Sequence, residues 1–234
     1  MLGVILAGGQ GQRLRPLTLG VNKHLLPVGD RPMVAHPLGR LVEAGLDEVV
    51  VVSSAEGVAA LAAALGSGHR YGARVSFVVQ DEPLGVADAL GAALPWIAGR
   101  AVCVILGDNV FDSSLREHAL AHQRVGGALV LLHEVQDPER YGVARIEGER
   151  VLEISEKPAR PPSNLAVTGV YFYDHSLAER MAGLEPSARG ELEITDVNLA
   201  YLRAGLLHHR RLEGRWVDAG TLDAYRRANQ TFPA

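Results

Sequence analysis

Four short apolar runs, residues 2–7, 48–53, 75–79 and 101–106, punctuate the first half of the chain, each bounded by turn-forming residues. Runs this short and this uniformly apolar predict strands buried on both faces. Between them the apolar positions fall into helical spacing over residues 33–44, 57–65, 86–96 and 114–123. Strand and helix in alternation predict a Rossmann-like α/β fold, with a mostly parallel central sheet and helices on both faces. Ligands of such sheets collect beyond the carboxyl ends of the strands, so the loops after Ala7, Val79 and Leu106 are expected to open on one crevice.

Beyond residue 128 the texture changes to a strand-rich stretch, residues 128–135, 142–147, 151–156 and 166–173, followed by helical patterns over 176–182, 194–204 and 222–229. The proline-rich segment 157–162 reads as a surface loop and not a linker, because a strand pattern resumes at once on its far side. There is no internal repeat. Residues 1–234 are therefore expected to form one domain.

Composition narrows the partners. The chain has 234 residues, 47% of them hydrophobic and 21% charged, enough for a packed core without staples. Its single cysteine, Cys103, lies in Ala-Val-Cys-Val-Ile-Leu and reads as part of a buried strand, not as a nucleophile or metal ligand. A net charge of -4, with Lys and Arg scattered, argues against a nucleic-acid partner, whereas a small anion needs only local positive charge. The opening MLGVILAGG is too short for a secretion signal and lacks a basic lead, and no apolar run approaches the roughly 20 residues of a membrane helix. A cytoplasmic protein without a membrane partner is the expectation.

The strongest local signal follows the first strand: Leu6-Ala-Gly-Gly-Gln-Gly-Gln-Arg-Leu-Arg-Pro-Leu-Thr. Gly8, Gly9 and Gly11 allow positive φ and bring backbone N–H groups close to an anion, for which a triphosphate is the natural guest. Arg13 and the nearby Lys23 add a planar fork and a point charge. Pro16 opposes an immediate long helix, so the loop departs from a dinucleotide-binding fingerprint, and the Gly-Lys-Ser/Thr of a P-loop is missing.

From Gly8 to Pro37 the run GGQGQRLRPLTLGVNKHLLPVGDRPMVAHP closely resembles the signature of the sugar-phosphate nucleotidyltransferases, and among them the glucose-1-phosphate thymidylyltransferases. Further similar blocks follow in the family's order: Gln80 with Pro83-Leu84-Gly85, Gly107-Asp108-Asn109, Tyr141-Gly142-Val143, Glu156-Lys157-Pro158, Thr168 to Tyr173, Gly190 to Asp196, and Trp216 to Thr221. The resemblance spans nearly the whole chain. It implies transfer of a nucleotidyl group from a nucleoside triphosphate, dTTP foremost, to a sugar 1-phosphate, glucose 1-phosphate foremost, giving dTDP-glucose and pyrophosphate with Mg²⁺ as cofactor. It also implies a nucleotide-binding part over residues 1–127 and a sugar-phosphate-binding part over 128–234, and is compatible with a homo-oligomer. Transfer from UTP, CTP or GTP to another phosphorylated metabolite stays open, as does a catalytically silent homologue that binds a nucleotide sugar.

Carried over position by position, the resemblance implies that Leu6, Gly8, Gly9, Gly11 and Gln12 bind the nucleotide, with Gln80 and Gly85 at its base. Arg13, Lys23 and Asp108 would be catalytic, and Asp108 and Asp218 would hold the metal. Gly142, Glu156, Lys157, Tyr171 and Glu191 would bind the sugar phosphate. Two positions depart from the pattern: Gln12 stands where threonine is usual, and Asp88 where glutamine or histidine is usual. None of the nine histidines is assigned a role, because none shows metal-ligand spacing with another His or Cys.

Overall fold

The valine run Glu48–Ser53 shows how the sheet is buried: Val50 and Val52 enter one apolar layer, Val49 and Val51 the opposite one. A strand whose successive side chains point to opposite faces, and are apolar on both, must lie between two packed layers. The computed structural model describes all residues, 1–234. Strand β1 (Leu2–Leu6) runs into the glycine loop, a small hairpin of β2 (Pro27–Val28) and β3 (Arg31–Pro32), and helix α1 (Ala35–Glu43). There follow β4 (Glu48–Ser53), α2 (Ala55–Leu65), β5 (Arg74–Val79), α3 (Val86–Ile97), β6 (Val102–Leu106), β7 (Asn109–Phe111) and α4 (Arg116–Val125). The second half holds β8 (Ala128–Glu134), β9 (Gly142–Glu147), β10 (Arg150–Glu156), β11 (Leu165–Tyr173), α5 (Leu177–Met181), α6 (Ile194–Arg203), β12 (Leu207–Arg211), β13 (Trp216–Asp218) and α7 (Leu222–Thr231).

Nine strands form one mixed sheet that runs through both halves of the chain. Strands β5, β4, β1 and β6 are parallel. Strand β11 then runs antiparallel to β6 and carries β8 on its other side, with β12 parallel to β8 and the β9–β10 pair at its start. One apolar layer gathers α3, α5 and α6 through Leu90, Leu177, Val197 and Tyr201. The other gathers α1, α2 and α4 through Leu38, Leu41, Leu61 and Ala119. A third, smaller cluster places Leu14, Val110, Val217 and Ala224 under α7, tying the glycine loop to the ribbon of β7 and β13. No helix is long and apolar enough to cross a membrane.

Local chemistry explains most boundaries. Helix α2 starts where the Ser54 hydroxyl accepts from Gly57 N–H, and α7 where the Thr221 hydroxyl accepts from Ala224 N–H. Two expectations need correction. Strand β5 is not buried on both faces: it forms the sheet edge, its side chains alternate in exposure, and Val79 is left 40% exposed. Helix α4 begins two residues later than the spacing suggested, after Leu115. Strands β7, β12 and β13 had no sequence signal of their own, being short or polar.

Candidate active site

The three loops that leave β1, β5 and β6 at their carboxyl ends meet in one cleft of about 700 Å³, as parallel topology requires. Leu6, Gly8, Gly9, Gly11, Gln12, Arg13, Lys23, Gln80, Gly85 and Asp108, all from the first half of the chain, line one side of it. Gly142, Glu156, Lys157, Tyr171, Glu191 and Asp218, all from the second half of the chain, close the other side. All the candidate positions thus share one wall system. Gly9 and Gly11 have φ of +89° and +63°, the left-handed region that favours glycine. Gly8 does not; a Cβ there would lie 2.8 Å from Gln80 Oε1 and would have to displace that amide.

Charge converges on Gly220. A Cβ at this glycine would lie 2.9 Å from Asp218 Oδ1, 3.3 Å from Arg13 Nη2 and 3.3 Å from Asp108 Oδ2. The ribbon brings the two carboxylates together: Asp218 is the register partner of Asn109, and Ala219 N–H donates to Asp108 O at 2.9 Å. Lys23 Nζ donates to Asp108 Oδ2 at 2.6 Å, with only 13% and 11% of the two side chains exposed. Burial alone would raise the Asp108 carboxyl, but the charge of Lys23 and its hydrogen bond hold it below the usual carboxylate range. Asp218 goes the other way, pushed up to about 6 by burial and then by the negative charge of Asp108.

Supporting side chains fix this pair. Asn109, fully buried, donates to Asp108 Oδ1 at 3.3 Å, while its Oδ1 accepts from Gly169 N–H at 3.1 Å and from Trp216 Nε1 at 2.7 Å. It therefore links β7 to β11 and β13 and to the loop after β6 at the cleft floor. His24, on the same turn as Lys23, is driven down to about 3 by burial and by the lysine charge, so it packs as a neutral ring against Gly107. No room exists there for a side chain larger than glycine: a Cβ at Gly107 would sit 2.8 Å from the His24 ring.

At the other end of the cleft, Glu156 Oε2 accepts from Thr195 Oγ1 at 2.6 Å, and its Oε1 lies 3.2 Å from Lys157 Nζ and 3.4 Å from Arg189 Nη2. Lys157 has φ of +41°, strained for a residue with a Cβ, and its N–H donates to Tyr141 O at 3.0 Å. Tyr171 is buried and its phenol is held protonated by burial first and then by the surrounding carboxylates. Two cations of this cleft escaped the sequence reading. Arg189 reaches Glu193 at 2.7 Å and Glu191 at 3.8 Å, and Arg140 pairs with Asp137 at 2.6 Å while stacking over Tyr141. Each had the same signal, standing one residue before a similar block, Arg189 before Gly190 and Arg140 before Tyr141.

A parallel-sheet cleft with a glycine loop, two paired carboxylates and several cations is the architecture of an enzyme that moves phosphate-linked groups. The chain belongs to the nucleotidyl transferase family, whose model matches residues 2–234. Within it the chain is similar to glucose-1-phosphate thymidylyltransferases. That of Xanthomonas campestris pv. campestris (strain B100) is 45% identical over 225 residues, covering 94% of this chain and 76% of the relative. That of Neisseria meningitidis serogroup A is 44% identical over 234 residues, covering 97% and 81%. The crystal structure of a candidate glucose-1-phosphate thymidylyltransferase from Bacillus anthracis, in complex with sucrose, superposes with a TM-score of 0.94 at 43% identity, over 98% of this chain and 94% of that one. A UDP-glucose pyrophosphorylase complexed with UDP-glucose, at 24% identity and a TM-score of 0.88 over 98% of both chains, shares the fold.

Proposed function

We propose that the protein joins dTTP to glucose 1-phosphate, forming dTDP-glucose and pyrophosphate. A phosphate oxygen of the sugar attacks the α-phosphorus, a new P–O bond forms as the bridge to the β-phosphate breaks, and pyrophosphate leaves. The observation that carries this reading is the convergence of Arg13, Asp108 and Asp218 on Gly220, with Lys23 on Asp108. Both reactants are anions, so the work of such a site is to neutralise charge and hold attacking oxygen, phosphorus and leaving group in line.

In this reading residues 1–127 serve the nucleotide and 128–234 the sugar phosphate. Leu6, Gly8, Gly9, Gly11 and Gln12 cradle the triphosphate, Arg13 grips it in a fork, and Lys23 offers its ammonium to the charge that builds at the α-phosphate. Gln80 and the backbone of Gly85 meet the base. Gly142 leaves space for the sugar ring, Glu156 and Glu191 accept from its hydroxyls, Tyr171 supplies a neutral phenol, and Lys157 with Arg189 balances the sugar phosphate.

The donor set fits Mg²⁺. Asp108 and Asp218 approach one point, burial and mutual repulsion leave Asp218 in want of a cation, and no group of three or more His, Cys, Asp or Glu makes an all-protein cage. Mg²⁺ prefers one or two carboxylates completed by phosphate oxygens and water. Held by Asp108 and Asp218, it would supply neutralisation of the phosphate charge.

The test is a panel of dTTP, UTP, CTP and GTP, each with several sugar 1-phosphates, followed by pyrophosphate release and chromatography of the product. Turnover is expected to be fastest with dTTP and glucose 1-phosphate. Absence of pyrophosphate with every pair would overturn the reading.

A further inference from the structure

Gln80 follows the last residue of β5, 7% exposed, and its amide is held by two acceptors at once. Its Nε2 donates to Asp88 Oδ2 at 2.7 Å and to Gly85 O at 3.2 Å. A carboxylate and a peptide carbonyl only accept, so both amide hydrogens are committed and the amide has a single orientation. Its other end, Oε1, takes no hydrogen bond from the protein and lies against Gly8 on the cleft wall, 2.8 Å from where a Cβ would stand. Gln80 therefore shows the cleft an acceptor and withholds its donor.

We infer that Asp88 determines base specificity by fixing the Gln80 amide, so that the cleft accepts pyrimidine triphosphates carrying a ring N–H, thymine or uracil, and disfavours cytosine. The inference rests on the proposed role of Gln80 at the base. Thymine and uracil present N3–H, which can donate to Gln80 Oε1. Cytosine presents an unprotonated N3, and two lone pairs facing each other in a partly desolvated site are repulsive. Asp88 touches no substrate in this scheme; it is a positioning residue acting through Gln80. It also lies in the first turn of α3, where an acidic side chain favours the helix, and a purely structural role would show as an equal effect on every nucleotide.

The discriminating substitution is Asp88→Asn, which keeps size but offers donor or acceptor alike, so that Gln80 is free to turn its amino group to the cleft. Equilibrium dissociation constants of the full chain for dTTP, UTP and CTP, by calorimetry, give a readout independent of turnover. Wild type is expected to prefer dTTP and UTP to CTP, and Asp88→Asn to shift the CTP-to-dTTP affinity ratio by about tenfold toward CTP. Asp88→Ser should shift it in the same direction, and serves if Asp88→Asn folds poorly. In a Gln80→Leu background Asp88→Asn should leave the ratio unchanged, because the reader is gone. A ratio unmoved by either Asp88 variant, or one that still moves without Gln80, would overturn the inference. Loss of turnover on every triphosphate, with the binding preference and its dependence on Asp88 intact, would instead refute the proposed reaction and leave this inference standing.

Discussion

Asp218→Asn should make the metal-free protein more stable at neutral pH while removing its activity. In the folded protein burial, then the charge of Asp108, lifts the Asp218 carboxyl from its ordinary 3.8 to about 6. A folded-state value above the unfolded one means that the native protein binds this proton more tightly. The stability contributed by the group is therefore fully present below about pH 4 and is lost as pH rises toward 6. At pH 7.5 the ionised Asp218 is a net cost, about 1–3 kcal/mol once partial solvation is allowed for. Asparagine keeps the shape and an acceptor for Gly220 N–H, which bonds Asp218 Oδ1 at 3.0 Å, but carries no charge. Urea unfolding in EDTA at pH 7.5 should thus show Asp218→Asn as the more stable protein by about 1–3 kcal/mol, a gap that closes near pH 4. Mg²⁺ with dTTP should stabilise wild type and raise the variant less, since binding to the native state alone shifts the equilibrium. A variant less stable than wild type at pH 7.5, or a difference indifferent to acid, would refute the electrostatic account of the carboxylate pair.

Lys23→Ala should lower kcat by about 10²–10⁴-fold with an unchanged circular dichroism spectrum, because it removes a charge offered to the transition state; a nearly normal rate takes Lys23 out of the mechanism. Asn109→Ala strands the buried Trp216 and Gly169 N–H groups and frees Asp108, so urea unfolding should show a loss of about 2–5 kcal/mol; a loss under about 0.5 kcal/mol, the range of an ordinary surface change, would deny it that bridging place. Lys157→Ala should raise the KM for glucose 1-phosphate about tenfold and leave that for dTTP alone; an effect confined to dTTP would reverse the assignment of the two ends of the cleft.

Much of this was legible in the chain itself. Runs of four to six apolar residues, too short for helices and too uniform for a half-exposed strand, specify the parallel core of β1, β4 and β6, because hydrophobic burial depends on local composition. The positive φ of Gly9 and Gly11, beside Arg13 and Lys23 in the cleft, was legible for the same local reason: φ above zero and fixed charge belong to single residues. The nucleotidyl transferase family was also recognisable from ordered motifs. Other features depend on residues far apart in sequence. The resemblance put Asp108 and Asp218 at one metal, but nothing in their local sequence brings them together; the β7–β13 ribbon, short and held by Asn109 and by Ala219 N–H to Asp108 O, does that. Arg189 and Arg140 look like surface charges until the fold sets Arg189 3.4 Å from Glu156 and brings both into the cleft that holds Asp218. The departure at Asp88 acquires meaning only when α3 sets its carboxylate 2.7 Å from the Gln80 amide. Local propensity and burial pattern thus determined the frame and the loop, whereas the pairing of charges and the direction of one amide came from tertiary contacts, since Coulomb and hydrogen-bond energies depend on distances that sequence spacing does not encode.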